Sequence, residues 1–218
     1  MILELEPSHL LSLLCKQLDN LFTIDEAERK ILAEAMTESL RRTELCFSNI
    51  DNKYYWKFDK PYFNPFHSGQ YCVFLYFISN EISEQNSILA DKIYYLNKAL
   101  NGLDLFHEVA MPDVFFLDHP VGTVIGRATI GRYFCFGQNC TLGSNKGVYP
   151  TLGSNVNMCP GAMILGNSKI GDHVLLAANA YVKDEDIPSC SIVFGSSPNL
   201  TVKPKERSYF LENFHFEP

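Results

Sequence analysis

The chain has no Cys-x-x-Cys pair, no surplus of basic residues, no low-complexity tract and no apolar run that could span a bilayer. Each absence removes a class of protein. The seven cysteines (15, 46, 72, 135, 140, 159 and 190) are scattered and odd in number, which fits a reducing compartment better than a disulfide framework or a zinc ribbon. A net charge of −7 argues against nucleic acid as a partner, although local lysines and backbone N–H groups can still hold a small anion. The longest apolar stretch, Val73 to Ile78, falls far short of the roughly 20 residues a membrane helix needs. The opening MILELEPSHLL lacks the basic segment of a secretory signal. A soluble, cytoplasmic protein without a membrane partner is expected. With 218 residues, 46% of them hydrophobic, the chain can bury one large core or two small ones.

What is present is a period of six. Leu105, Met111 and Leu117 set a phase that slips by one residue to Val124, Ile130, Phe136 and Leu142. After four inserted residues it resumes as Leu152, Met158, Ile164, Ile170, Leu176 and Val182. The position after the apolar residue is usually small, as in Gly131, Gly137, Gly143, Gly153, Gly171 and Ala177, which suits a strand that bends at a corner. Hexads of this kind predict a parallel β-helix, in which no six-residue side can bury its apolar residue except against its neighbours. Three sides make a coil of about 18 residues, so about five coils stack at about 4.8 Å.

The first half carries a different period. Leu10, Leu11, Leu13, Leu14, Leu18 and Leu21 predict one amphipathic helix, and Thr23 with Glu26 forms a capping box for a second carrying Ile31, Leu32, Ala35, Met36 and Leu40. Two further helices are predicted at 69–83 and 87–101, the last closed by Asn101-Gly102. The aromatics between them (Tyr54, Tyr55, Trp56, Tyr62, Phe63) are read as packing between helices. The plan is an α+β chain: a helical domain over 1–102, a β-helix over 103–202 and a tail over 203–218.

Three features carry candidate chemistry. Asp118 takes the place normally held by a small residue after a corner, and His119 lies beside the phase slip between it and Pro120. A charge there needs a partner or a task; an isolated histidine would be a surface or packing residue. Asp104, fifteen residues earlier, falls about one coil back on the same face, where a carboxylate could hold one imidazole nitrogen and leave the other to act as base; it could equally be a turn residue. The inserted GSNKGVYPT segment leaves the solenoid as a loop whose Tyr149 either binds or covers the wall. His107, His119 and His173 do not converge at hexad spacing, so no metal is expected.

The segments LDLFHEVAMPDVFFLDHPVG, TLGSNKGVYPTLG, GAMILGN and IGDHVLLAANAYV resemble the serine O-acetyltransferase branch of the hexapeptide-repeat acyltransferases. The resemblance implies a left-handed β-helix, assembly as a homotrimer or a dimer of trimers, and a site between neighbouring subunits with acetyl-CoA along the solenoid. It further implies His119 as catalytic base, Asp104 as its orienting partner and Asp118 as a contact to the acceptor. Gly143, Ser144 and Ala178 would line the path of acetyl-CoA, and Lys203 and Lys205 could face its phosphates. Pro160 departs from a small channel residue. Where the family carries Arg-His-Pro in the loop, this chain has Val148-Tyr149-Pro150 in a shorter one. The expected function is therefore an acetyl-CoA-dependent O-acetyltransferase whose acceptor, contacted by Tyr149, is a hydroxylated small molecule or sugar rather than free serine. The alternatives are serine acetylation with another carboxylate anchor such as Lys146, or a silent oligomeric scaffold.

Overall fold

The computed structural model describes residues 1–213 and Phe216. Two compact units emerge: residues 1–48 with 52–108, and residues 49–51 with 109–218.

The first unit is built from four helices: α1 (Pro7–Leu21), α2 (Glu26–Phe47), α3 (Ser68–Ile82) and α4 (Ser87–Asn101). Leu10, Leu14 and Leu18 bury one stripe of α1. Every residue from Gln70 to Ser79 of α3 is buried, as expected of a helix surrounded on all sides. The capping box of α2 is not Thr23 with Glu26. Asp25 accepts the backbone N–H of Glu28, and the Glu28 carboxylate accepts that of Asp25; the carboxylate cap and its acidic first turn also suit the helix dipole. Gly102 closes α4 in the left-handed conformation, φ 64°. Of the connecting aromatics, Tyr55 packs edge-on against Phe47 at 4.7 Å and Phe63 packs against Phe74 at 5.4 Å. Tyr54 is 58% exposed, so the helix-packing reading holds for only part of the group. A small sheet pairs Ile2–Leu3 with Tyr62–Phe63 and Trp56–Lys57 with Lys60–Pro61.

The units divide after Glu108 rather than after Gly102. The cause is local bonding: Asp104 accepts from Tyr94 and Lys98, His107 approaches Asp91 at 3.1 Å, and the His107 carbonyl accepts from Asn80 at 2.7 Å. Residues 103–108 are thereby laid on the helices.

The second unit is a left-handed parallel β-helix. One face stacks Phe115–Leu117, Phe134–Phe136, Val156–Met158, Val174–Leu176 and the start of Ser191–Ser196. The next stacks Val124–Ile125, Thr141–Gly143, Met163–Leu165 and Tyr181–Lys183. The third stacks Thr129–Ile130, Thr151–Leu152, Lys169–Ile170 and Asp186–Ile187. Strands of two or three residues are too short to be stable alone. Inward ladders such as Leu142, Ile164 and Val182 hold them, each buried side chain contributing about 1.5–3 kcal/mol of transfer free energy.

Two details differ from the hexad phase. Val124 is 42% exposed while Ile125 is 2% exposed and pairs with Leu142; the slip after Leu117 is two residues, so the inward position passes to Ile125. The parallel repeat also ends before 202. Ser191–Ser196 turns back into Asn199–Pro204 as an antiparallel hairpin, which places Lys203 on a strand rather than in a tail. A short helix, Arg207–Asn213, follows. Residues 214, 215, 217 and 218 of the expected tail lie outside the described residues.

Candidate functional site

The two extra residues after Leu117 are accommodated at the first corner. The Asp118 N–H bonds to the Phe136 carbonyl at 3.0 Å, keeping Asp118 on the ladder. His119 then enters the left-handed region at φ 50°, which is uncommon for a residue with a Cβ and costs about 1–2 kcal/mol. Its carbonyl accepts the Val121 N–H at 2.7 Å around Pro120. The strain turns the imidazole outward: its side chain is 87% exposed, with Nε2 3.6 Å from Oδ1 of Asp118, itself 58% exposed. That separation is too long for a hydrogen bond. Thr123, which the sequence reading passed over, fastens this corner. Its buried hydroxyl donates to the Gly137 carbonyl at 2.7 Å and accepts the Cys140 N–H at 3.0 Å. The only signal for it in the sequence is its place beside the phase slip.

Above His119 the corner continues as a strip. Gly137, Cys159 and Ala177 donate to Met158, Leu176 and Val193, so Gln138, Pro160 and Ala178 occupy successive levels over the imidazole. Pro160 and Ala178 are exposed. The proline ring lies over Gly137, where a Cβ would come to 3.3 Å; Pro160 is thus matched to its neighbour below. Phe194 follows Val193 as Ala177 follows Leu176, and the Lys203 ammonium sits over the Phe194 ring at 5.2 Å. Lys203 therefore marks the far end of the His119 strip. Lys205 does not: its N–H bonds to the Cys190 carbonyl on the third corner, and its ammonium covers Tyr209 at 5.2 Å.

Gly143, Ser144 and Tyr149 belong to the second corner. The insertion is a tight hairpin rather than an open loop. Asn145 and Val148 exchange backbone hydrogen bonds of 3.0 Å, with Lys146 and Gly147 both at positive φ, the geometry of a type I′ turn. The Asn145 amide donates to Asp184 Oδ2 at 2.6 Å. The Asn167 backbone N–H, followed by Asn145, holds the Asp184 carboxyl below its ordinary range. Val148 and Tyr149 are exposed. A whole face separates this hairpin from His119, so one chain does not bring Tyr149 to Asp118 and His119.

Asp104 lies in the first unit. Tyr94 Oη and Lys98 Nζ each donate to it at 2.6 Å. Burial raises its carboxyl, but the bonds from Lys98 and Tyr94 outweigh that and hold it below the usual range. His107 is bonded beside Asp91, and His173 is buried on the third corner, where burial and Arg207 lower its pKa. Among the described residues no three His, Cys, Asp or Glu side chains are grouped to hold a metal. Burial pushes the Cys140 and Cys159 thiols up and Cys72 up to about 12, which suits packing and opposes a nucleophilic thiolate.

No family model matches the chain. Individual relatives do. It is 31% identical to the serine acetyltransferase of Staphylococcus epidermidis over 147 residues, 65% of this chain and 68% of that one. Identity to the serine acetyltransferase of Staphylococcus aureus (strain Mu50) is 31% over 135 residues, 59% of this chain; the match spans 63% of that relative's length. Among solved structures, a serine acetyltransferase from Brucella abortus superposes with a TM-score of 0.67 at 19% identity, covering 82% of this chain and 74% of that one. A serine acetyltransferase in complex with CoA gives 0.67 at 18% identity, covering 90% and 84%. The structures carry the fold, and the S. epidermidis match carries kinship: this chain belongs to the serine acetyltransferase family.

Proposed function

We propose that the protein is an acetyl-CoA-dependent serine O-acetyltransferase. The observation that carries this reading is the exposed imidazole of His119, held out by a left-handed turn beside Asp118 at one end of the strip that runs through Gln138, Pro160 and Ala178. The relatives named above are serine acetyltransferases. The sugar acceptor expected from Val148-Tyr149 finds no support among them, whereas free serine does.

In this reading the serine ammonium faces Asp118, and His119 takes the hydroxyl proton as that oxygen attacks the thioester carbonyl. Backbone N–H groups receive the developing oxyanion. Collapse breaks the carbon–sulfur bond, and the proton held by His119 passes to the departing thiolate. No covalent enzyme intermediate is required, because holding thioester and acceptor together supplies much of the acceleration. The donor's pantetheine arm follows the strip past Pro160 and Ala178 toward Lys203. Asp104 keeps its role as orienting carboxylate on the sequence resemblance. Because Tyr149 and His119 stand on different corners, the complete site is proposed to lie between copies, in a trimer whose axis runs along the solenoid.

The test is release of free thiol from acetyl-CoA with serine beside a panel of hydroxylated sugars. Serine is expected to give the highest kcat/KM. A sugar that outperforms it returns the acceptor to the reading drawn from Tyr149; no thiol release with any acceptor leaves a silent scaffold.

A further inference from the structure

We infer that Gln138 is a catalytic residue of the proposed reaction: its side-chain amide donates a hydrogen bond to the thioester carbonyl oxygen of the acetyl donor as negative charge develops there. The inference rests on the proposed acetyl transfer at His119 and concerns the donor, whichever hydroxyl receives the acetyl group.

Gln138 follows Phe136 by two residues, as His119 follows Leu117, and Leu117 pairs with Phe136. Gln138 thus repeats the place of His119 one coil up, about 4.8 Å away at the spacing of stacked strands. Bonds on either side fix that register. The Asp118 N–H donates to the Phe136 carbonyl and the Asn139 N–H to the Val121 carbonyl, each at 3.0 Å. Thr123 clamps the same segment from below, its hydroxyl joining the Gly137 carbonyl to the Cys140 N–H. The backbone around Gln138 is therefore pinned, and its side chain is the part left to meet a ligand.

Few other donors remain on this corner. The N–H groups of Asp118, Gly137, Asn139 and Cys140 are already bonded within the solenoid. The Thr123 hydroxyl and the Cys140 thiol donate to carbonyls at 2.7 and 3.3 Å, and the Asn139 amide oxygen packs against Gly122. An ionised Asp118 only accepts. Pro160 and Ala178, above, carry no polar side-chain atom. Gln138 is half-buried, and no hydrogen bond among the described residues occupies its amide.

The acceptor oxygen must come within about 2.6–3.2 Å of the imidazole to give up its proton, and the carbonyl carbon lies about 3–3.5 Å beyond that oxygen. A donor lying along the strip places this carbonyl between the level of His119 and the level of Gln138. Attack moves the carbonyl π pair onto oxygen, where the Gln138 Nε2–H bond meets it. Collapse returns the pair and breaks the carbon–sulfur bond, and the amide emerges unchanged. Such a bond strengthens as charge grows, so it lowers the barrier more than it tightens binding.

Gln138→Leu removes the donor at similar size and should slow single-turnover acetyl transfer by about 10²- to 10³-fold, the range for deleting one oxyanion donor. The Kd of S-ethyl-CoA, a thioether without the carbonyl oxygen, and the unfolding midpoint should stay at wild-type values. Gln138→Glu keeps the shape but puts a carboxylate where negative charge develops, and should slow transfer at least as much at neutral pH; it decides the matter if the leucine variant does not fold. A wild-type rate in either folded variant overturns the inference and leaves the proposed function intact. A weakening of S-ethyl-CoA binding that accounts for the whole loss makes Gln138 a contact to the donor's arm and overturns the inference too. A wild-type enzyme that releases no thiol with any acceptor overturns the functional reading and this inference with it.

Discussion

His119 occupies a backbone conformation that a histidine adopts only when its surroundings impose it, and those surroundings are identifiable: the ladder bond of Asp118, the turn around Pro120 and the buried hydroxyl of Thr123. His119→Ala should lower kcat by about 10²- to 10⁴-fold while CoA binding and the unfolding midpoint hold, since general-base catalysis supplies about that much. Steady-state kinetics with a CoA titration check it, and near wild-type turnover would remove His119 from the mechanism. Thr123→Val keeps the shape of that side chain but strands the Cys140 N–H in a buried place, so a loss of about 1–3 kcal/mol in stability is expected by urea denaturation. Asp104 supports a pH prediction. Its folded-state pKa is depressed, so the stabilisation it brings is present above its unfolded value of about 3.9 and is lost as pH falls through the folded value. The difference in Tm between wild type and Asp104→Asn should therefore be open at pH 6 and close below about pH 3.9; a difference that ignores pH would assign the effect to packing.

At the scale of the element, the corners decide whether coils can stack. Gly131 is not in a left-handed conformation, yet a Cβ there would meet the Gly153 carbonyl oxygen at 2.4 Å and the Ser154 nitrogen at 2.7 Å. Those are backbone atoms of the next coil and cannot swing aside. Gly131→Ala should force the coils apart and cost about 1–3 kcal/mol, the range for overpacking. Gly147, at the turn of the inserted hairpin, is the opposite case: a Cβ meets nothing within 4 Å, but φ is +80°. Gly147→Ala should cost only about 1–2 kcal/mol of local backbone strain. Chemical denaturation of the two variants compares a steric cost with a conformational one. If Gly131→Ala proves as mild as Gly147→Ala, the stacking at this corner is looser than its backbone geometry implies.

For the molecule as a whole, the proposed site, divided between corners, would make assembly a condition of activity. Gel filtration with light scattering should return a trimer or a multiple of three at assay concentrations. Specific activity should fall on dilution below the assembly constant, as it does for any site completed by a second copy. A monomer with full activity would contradict the divided site, since His119 and the Tyr149 hairpin lie a full face apart in one chain.

The sequence alone determined the elements. Six-residue spacing of Leu152, Met158, Ile164, Ile170, Leu176 and Val182 against small corner residues leaves a parallel β-helix as the architecture that buries them, and the leucines at 10, 14 and 18 specify a helix face, because burial periodicity is a property of the chain before it folds. The Asp118-His119 pair and the inserted segment were legible for the same reason, as interruptions of a regular pattern. Tertiary structure decided what depends on neighbours distant in sequence. The inward place passes from Val124 to Ile125 because Leu142 lies opposite it in the next coil. Residues 103–108 lie on the helices because Tyr94, Lys98, Asp91 and Asn80 reach them. The inserted segment closes as a hairpin held by Asp184, thirty-nine residues away. Each of these contacts joins residues whose approach spacing along one strand does not record, because it is set by which coil or helix folds back against which.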